Sequence, residues 1–426
     1  MSAGTRTAWV LLLLVAVGGC SRSETAAIVD NAGPATGVPR FEYDPTWPKT
    51  LPNNWIFGQV GALYVEPKTD HVWLVQRPSG TTRLGERFGL TGDGECCFPA
   101  PPVMEFDREG NLIQAWGPIH GDNPNGPRRT PIDYENLQAQ YGQMSLGEQA
   151  ALSYPLEHWP TNEHGIFVDH AGHVWVDSQN PPSALVKMSR DGQRMLLRIG
   201  KTEARTNRDT ENLAGPTGIH VDPESNEVFV ADGYRNRRVI VFDATTGAYK
   251  RQWGAYGKPP IDAQAPETNI VRAARAKGLG AEFEPDVRRQ QFDHVHCLRA
   301  SHDGLLYVCD RANNRIQVFR KDGTFVSEAL VAPKSGDMGS TLDLAFSADP
   351  EQRLMYIADG PNHKIWILRR SDMTVIGSFG SGGTGGGQFL LNDAIGVDSQ
   401  GNVYVGETIP GHRVQKFRLV AWDPAT

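Results

Sequence analysis

The chain has 426 residues, a formal net charge of −7, 39% apolar residues, 46 glycines and 29 prolines. That turn-rich composition argues against a helical bundle and against a disordered chain, and with no basic stripe to hold phosphates no nucleic-acid partner is expected. Length alone leaves two ordinary domains or one closed array of repeats.

At the N-terminus Arg6 precedes an apolar run from Ala8 to Val17, too short to span a bilayer and suited to a cleaved secretory signal. The run ends in Val17-Gly18-Gly19-Cys20, which resembles the bacterial lipobox, where the cysteine becomes the lipidated first residue. This predicts a signal over 1–19, acyl chains on Cys20 anchoring an exported protein to a membrane, and a coreless tether over 20–38, with the folded part, 39–426, facing the periplasm or the cell exterior. Export leaves Cys96, Cys97, Cys297 and Cys309 in an oxidising compartment. Cys297 and Cys309 lie on the two strands of one predicted hairpin and are expected to pair across it. The adjacent Cys96 and Cys97 allow a vicinal bridge or separate partners, and no CxxC spacing suggests cysteine-bound zinc.

From Val60 onward one plan recurs: an apolar alternating run, an Asp/Gly/Asn turn, a second run ending in a polar residue, a polar loop, then a third run. "VGALYVEPKTDHVWLVQRP" from Val60 is the first copy. "HGIFVDHAGHVWVDS" from His164, "TGIHVDPESNEVFVADGYRNRRVIVF" from Thr217 and "HCLRASHDGLLYVCDRANNRIQVF" from His296 continue the series. "DLAFSADPEQRLMYIADGPNHKIWIL" from Asp343 and "DAIGVDSQGNVYVGETIPGHRVQKF" from Asp393 complete six copies. An antiparallel unit of about 40–50 residues cannot bury both faces alone, so the prediction is an all-β, six-bladed propeller. The last copy shows three strands, and "RFEYDP" from Arg40 is expected to add its outer one and close the ring. Two insertions, His120 to Pro160 and Tyr256 to Gln291, break the rhythm between blades and are read as walls over the channel mouth.

Positions just before the inner strands converge on the axis, and there His164, His296 and Asp393 fall on alternate blades. Two imidazoles and a carboxylate roughly 120° apart make a set for a divalent cation with open coordination positions. His294, two residues before His296, is expected to point away, as an outer-shell or lid residue. At the ends of the second strands stand Arg77, Asp177, Asp232, Tyr234, Asp310, Arg311, Asp359 and Glu407; the Asp residues are read as caps for backbone amides, whereas Arg77, Tyr234 and Arg311 have no such local use. His170 and His173 sit at an outer hairpin turn, at the far end of their blade. The Gly-rich "GSGGTGG" from Gly380 lacks a βαβ setting and is read as an inter-blade loop.

The repeats, most specifically "ADGYRNRRVIVFD" and "CDRANNRIQVFRKDGTFV", resemble those of NHL-repeat six-bladed propellers. The site residues resemble those of the peptidyl-α-hydroxyglycine α-amidating lyases, which cleave a carbinolamide into an amide and glyoxylate. In that family three histidines from alternate blades hold zinc; His164 in "NEHGIFVD" and His296 in "FDHVHCL" match two of them, and Asp393 stands in place of the third. Ala394 replaces the acid with which the family helps hold a structural calcium, which weakens the case for calcium. The resemblance implies Tyr234 in "DGY" as catalytic base and Arg77 and Arg311 as the groups that hold a substrate carboxylate and developing negative charge. The family thus points to a metal-dependent lyase, with zinc as the metal and a small molecule or peptide as substrate at the channel mouth. Two other readings stand beside it: a non-catalytic propeller binding a peptide, glycan or protein, and a metal-using lactone or ester hydrolase.

Overall fold

The computed structural model describes Met1 and residues 37–78, 97–118, 159–160, 162–202, 204, 206–262, 290–335 and 338–424. Six four-stranded antiparallel sheets stand side by side around one axis. In blade 1 the strands run, from axis to rim, Gln59–Val65, Val72–Arg77, Val103–Phe106 and Leu112–Trp116. Blade 2 has Glu163–Val168, Val174–Ser178, Leu185–Met188 and Met195–Ile199. Blade 3 has Pro216–Asp222, Glu227–Asp232, Arg238–Asp243 and Tyr249–Trp253. Blade 4 has Val295–Ala300, Leu305–Asp310, Arg315–Arg320 and Phe325–Leu330. Blade 5 has Asp343–Phe346, Leu354–Asp359, Lys364–Arg369 and Thr374–Phe379.

Blade 6 joins the two ends of the described chain. Its inner strands, Asn392–Val397, Val403–Glu407 and Arg413–Asp423, come last in sequence, and Val38–Asp44 pairs antiparallel with the last of them as the rim strand. The expected closure by "RFEYDP" is therefore present, with Phe41 opposite Leu419 and Tyr43 opposite Phe417. Hydrogen bonding the first strand to the last makes opening of the ring cost a whole ladder at once.

The apolar alternation of the repeats does its work between blades. Six clusters of buried side chains lie one at each blade junction; that between blades 6 and 1, for example, gathers Val60, Leu63, Phe106, Ala394 and Tyr404. Trp47 closes this junction from outside, 4.9 Å from the ring of Tyr404 and 5.7 Å from that of Phe106. Each fully buried aromatic there contributes about 2–3 kcal/mol of burial energy, and because every blade shares a core with both neighbours no blade is stable apart from the ring.

Cys297 and Cys309 form the expected disulfide, across directly paired positions of the first two strands of blade 4. Cys97 is disulfide-bonded, and Cys96 lies outside the described residues. The greater parts of the two insertions and the whole of 2–36 also lie outside them. Among the described residues no helix is long and apolar enough to cross a membrane, and disulfides are the mark of a compartment more oxidising than the cytosol.

Candidate metal centre on the propeller axis

One backbone device builds the site. Inner strands open with an extra residue that slips the register: between Val60 and Ala62, Glu163 and Ile166, Pro216 and Gly218, Val295 and Cys297, and Asn392 and Ala394. A bulged residue leaves the ladder and is re-aimed, here toward the axis. Around the ring these positions are Gly61, His164, Thr217, His296, Leu342 and Asp393, the fifth lying just before its strand. The sequence reading set the candidate ligands in loops before the inner strands; the structure places each as the second residue within its strand. The bulge, which composition does not announce, is the physical reason.

His164, His296 and Asp393 are all buried, and one ligand atom from each lies within 4.8 Å of the others. The odd-numbered blades orient the imidazoles of the even ones: Thr217 O lies 3.2 Å from His164 Nδ1, and Leu342 O 2.7 Å from His296 Nδ1. A carbonyl only accepts, so each Nδ1 carries the proton and each Nε2 lone pair faces the axis. Burial holds both rings neutral, well below the usual imidazole range, helped by Arg77 and Arg311 at His164 and by Arg311 at His296. Burial pushes Asp393 up to about 6 against the pull of Arg311 and Arg77. Its carboxylate accepts no hydrogen bond among the described residues, and its Oδ1 lies 3.8 Å from His296 Nε2.

Tyr234, in the loop after the second strand of blade 3, sets its hydroxyl 3.2 Å from His164 Nε2 and 3.1 Å from His296 Nε2. One phenolic proton cannot serve two lone pairs. Two imidazole lone pairs sharing one donor, beside a buried carboxylate with none, fit a divalent cation. Drawing the three donors to the roughly 3.4 Å spacing of a tetrahedral zinc site takes a contraction of about 1 Å.

Arg77 and Arg311 occupy the same structural position, one residue past the capping side chain near the end of the second strand, in blades 1 and 4, which face each other across the ring. In blade 1 the cap is Gln76, whose Oε1 receives Gly58 N, while Asp177, Asp232, Asp310 and Glu407 cap Gly165, Ala214, Asp293 and Leu390. The acids are caps, as their type predicts. Arg77 donates from Nε to Glu163 O at 2.7 Å and from Nη1 to Gln59 Oε1 at 3.0 Å and Thr408 Oγ1 at 3.5 Å. Its Nη2 is buried with no partner. Arg311 instead donates from Nη1 to the Tyr234 hydroxyl at 3.4 Å and from Nε to Met338 O at 2.6 Å. Burial raises the Tyr234 phenol, with Arg311 opposing it most strongly.

His294 departs from its expected orientation. Its backbone is left-handed, φ 61°, which breaks strand alternation and lays its ring edge-on to Tyr234 with centroids 5.8 Å apart. Gln59 and Thr408, which hold Arg77, were not legible in sequence, since they are 349 residues apart and meet only because the ring closes. Beneath the triad, Asp343 Oδ2 accepts from Arg299 Nη2 at 2.8 Å and from Ile395 N at 3.1 Å. That axial carboxylate is thus neutralised by an arginine.

Three of the capping acids have a cation partner, buried in the pairs Asp232–Arg238 and Asp310–Arg315 and half-buried in Glu407–Arg413. Asp177 faces Leu185 instead, its Oδ2 is buried without a partner, and burial pushes it up to about 7. A carboxyl raised above its unfolded value keeps its proton in the folded state, so its contribution to stability is full at low pH and is lost between about pH 4 and pH 7. Asp177→Asn is expected to abolish that part of the decline, raising the unfolding free energy at pH 8 relative to the parent by a few kcal/mol and little at pH 4. Urea unfolding at the two pH values measures it.

Fold and centre together define the class: a six-bladed β-propeller with a His-His-Asp cluster at the axis. Residues 292–319, which hold the first two strands of blade 4, their disulfide and nearly all of the third strand, match the NHL repeat family. Over 167 residues, 39% of this chain, the sequence is 30% identical to peptidyl-glycine alpha-amidating monooxygenase B of Xenopus laevis, spanning 16% of that protein. Over 268 residues, 60% of this chain, it is 25% identical to peptidyl-alpha-hydroxyglycine alpha-amidating lyase 2 of Drosophila melanogaster, spanning 55% of it. A streptogramin B lyase structure aligns with a TM-score of 0.43 and 11% identity over 89% of this chain and 97% of that one. The chain therefore resembles an amidating monooxygenase and an amidating lyase across part of its own length, and spans 16% of the one and 55% of the other.

Proposed function

We propose that this protein is a metal-dependent carbon–nitrogen lyase acting on carbinolamides that carry a carboxylate, that is, N-acyl-α-hydroxyglycines. The observation that carries the reading is the buried triad facing a tyrosine hydroxyl and two arginines in a propeller similar in sequence to amidating lyases. His164, His296 and Asp393 would hold the cation, and zinc is the first candidate since it accepts both imidazole and carboxylate. Such a cation, when bound, supplies positive charge that acidifies a hydroxyl beside it.

The remaining steps belong to side chains. Arg77, fixed through Nε and Nη1, has the buried Nη2 left to take the substrate carboxylate. Tyr234, in its phenolate form, takes the proton of the substrate hydroxyl; as the C–O bond becomes a carbonyl and the C–N bond breaks, the electron pair leaves on the amide nitrogen, which takes that proton back from the Tyr234 hydroxyl and regenerates the phenolate. The products are a primary amide and glyoxylate. Arg311, 3.4 Å from the phenol oxygen, favours the phenolate against the burial that opposes it. The test is release of glyoxylate from N-benzoyl-α-hydroxyglycine by protein of measured metal content; metal-loaded protein that releases none would refute the lyase.

We further propose export and anchoring through Cys20. Labelled palmitate is expected to enter the wild-type protein in cells and not Cys20→Ala; equal labelling of both would exclude a lipid on that residue.

A further inference from the structure

Three residues beyond each axial position, the inner strands present a second ring of side chains to the other end of the channel: Tyr64, Phe167, His220, Arg299, Ala345 and Gly396. All six line one funnel of about 920 Å³. Its rim is formed by the turns joining first to second strands, around Glu66, Asp169, Asp222 and Ser301, so it opens on the face opposite Tyr234.

This ring is lopsided. Tyr64 and Phe167 stand with centroids 4.6 Å apart and Phe167 and His220 5.3 Å apart, making an aromatic wall across three adjacent blades. Arg299 ends the wall, and Ala345 and Gly396 leave the remaining side bare. The polar groups along the wall have unspent hydrogen-bonding capacity. The Tyr64 hydroxyl makes no hydrogen bond among the described residues, and His220 Nε2 is buried without a partner. Of its five N–H donors Arg299 uses one on Leu298 O at 3.1 Å and one on Asp343 Oδ2 at 2.8 Å. At the rim Glu66, Asp169 and Asp222 are held in the pairs Glu66–Arg190, Asp169–Lys187 and Asp222–Lys321. Burial pushes His220 down to about 4, and the cation at the throat is Arg299, which is paired with Asp343 and keeps further N–H donors for a second acceptor.

An aromatic-walled cavity of several hundred cubic ångströms with a few convergent polar groups is the form small-molecule sites take. It is separate from the triad: Arg299 also lines the cavity beneath His164, His296 and Asp393, which encloses about 10 Å³, room for no more than a water. We propose that this face binds a small planar aryl carboxylate, its ring stacked on the Tyr64–Phe167–His220 wall over the bare Ala345–Gly396 side and its carboxylate on Arg299. The unused guanidinium donors carry the choice of an acid, the wall that of a planar ring.

The test is calorimetric titration of 2-naphthoate into the full-length protein. Saturable binding is expected, at least tenfold weaker for the neutral 2-naphthamide and at least tenfold weaker for naphthoate in Phe167→Ala and Arg299→Gln; the glutamine still donates to Asp343. Chelator and His164→Ala are expected to leave it unchanged, since the funnel does not reach the triad. Should Arg299→Gln not fold, Ala345→Leu, which fills the open side, is expected to give the same tenfold loss. No saturable binding, equal affinity for the amide, or sensitivity to Arg77→Gln in place of Arg299→Gln or Ala345→Leu would overturn the proposal.

Discussion

Purified His164→Ala protein is expected to bind divalent metal at least about 100-fold more weakly than the parent, with the strand content of its circular dichroism spectrum unchanged. Three side chains from three separate blades supply the donors, and removing one leaves an imidazole and a carboxylate that do not close a site by themselves. The fold tolerates the loss because the side chain belongs to none of the six junction cores: its Nδ1 rests on Thr217 O, its Nε2 faces the axis, and its ring meets Tyr234 and His296 edge-on. The complementary change, Asp393→His, makes the set three imidazoles and is expected to strengthen zinc binding and carbinolamide turnover together. Elemental analysis and competition with a chromophoric chelator read both variants. Equal metal content in His164→Ala and parent would remove the centre, and with it the lyase; failure of Asp393→His to change either property would favour a propeller that only binds.

Tyr234→Phe is expected to lower kcat by about 10²–10⁴-fold while metal content stays at the parental level. The hydroxyl is the group shared by both Nε2 atoms and by Arg311 Nη1, and removing it deletes the proton acceptor while the ring still packs edge-on against His164, His294 and His296. Arg77→Gln makes the contrast, since a residue that holds the substrate carboxylate without touching the phenol should act mainly on KM. Steady-state kinetics separate the two, and a Tyr234→Phe enzyme retaining parental kcat would exclude the tyrosine from proton transfer.

Much of this could be read along the chain because a propeller writes its plan six times. The Asp-x-x-x-Asn-x-Arg run at Asp232 and the Asp-x-x-Asn-x-Arg run at Asp310 encode a buried acid that caps an amide and pairs with an arginine on the next strand. Its outward sign is local, so sequence shows it. The alternate-blade placement of His164, His296 and Asp393 was legible for the same reason, since counting blades is counting angles around an axis. His294 was not: alternation predicts that it points away, and only its left-handed backbone turns it onto Tyr234.

The sequence by itself determined the number of blades, the strand that closes the ring, the cross-strand disulfide and which residues approach the axis, because each depends on periodicity or on neighbours close in the chain. The tertiary structure alone decided how those residues are aimed. The inward turn of the triad comes from bulges in the inner strands, the imidazole tautomers from carbonyls of the next blade, the free Arg77 Nη2 from Gln59 and Thr408 at opposite ends of the chain, and the aromatic funnel from six separate strands. Such contacts join residues that only ring closure brings within reach, and no local pattern records them.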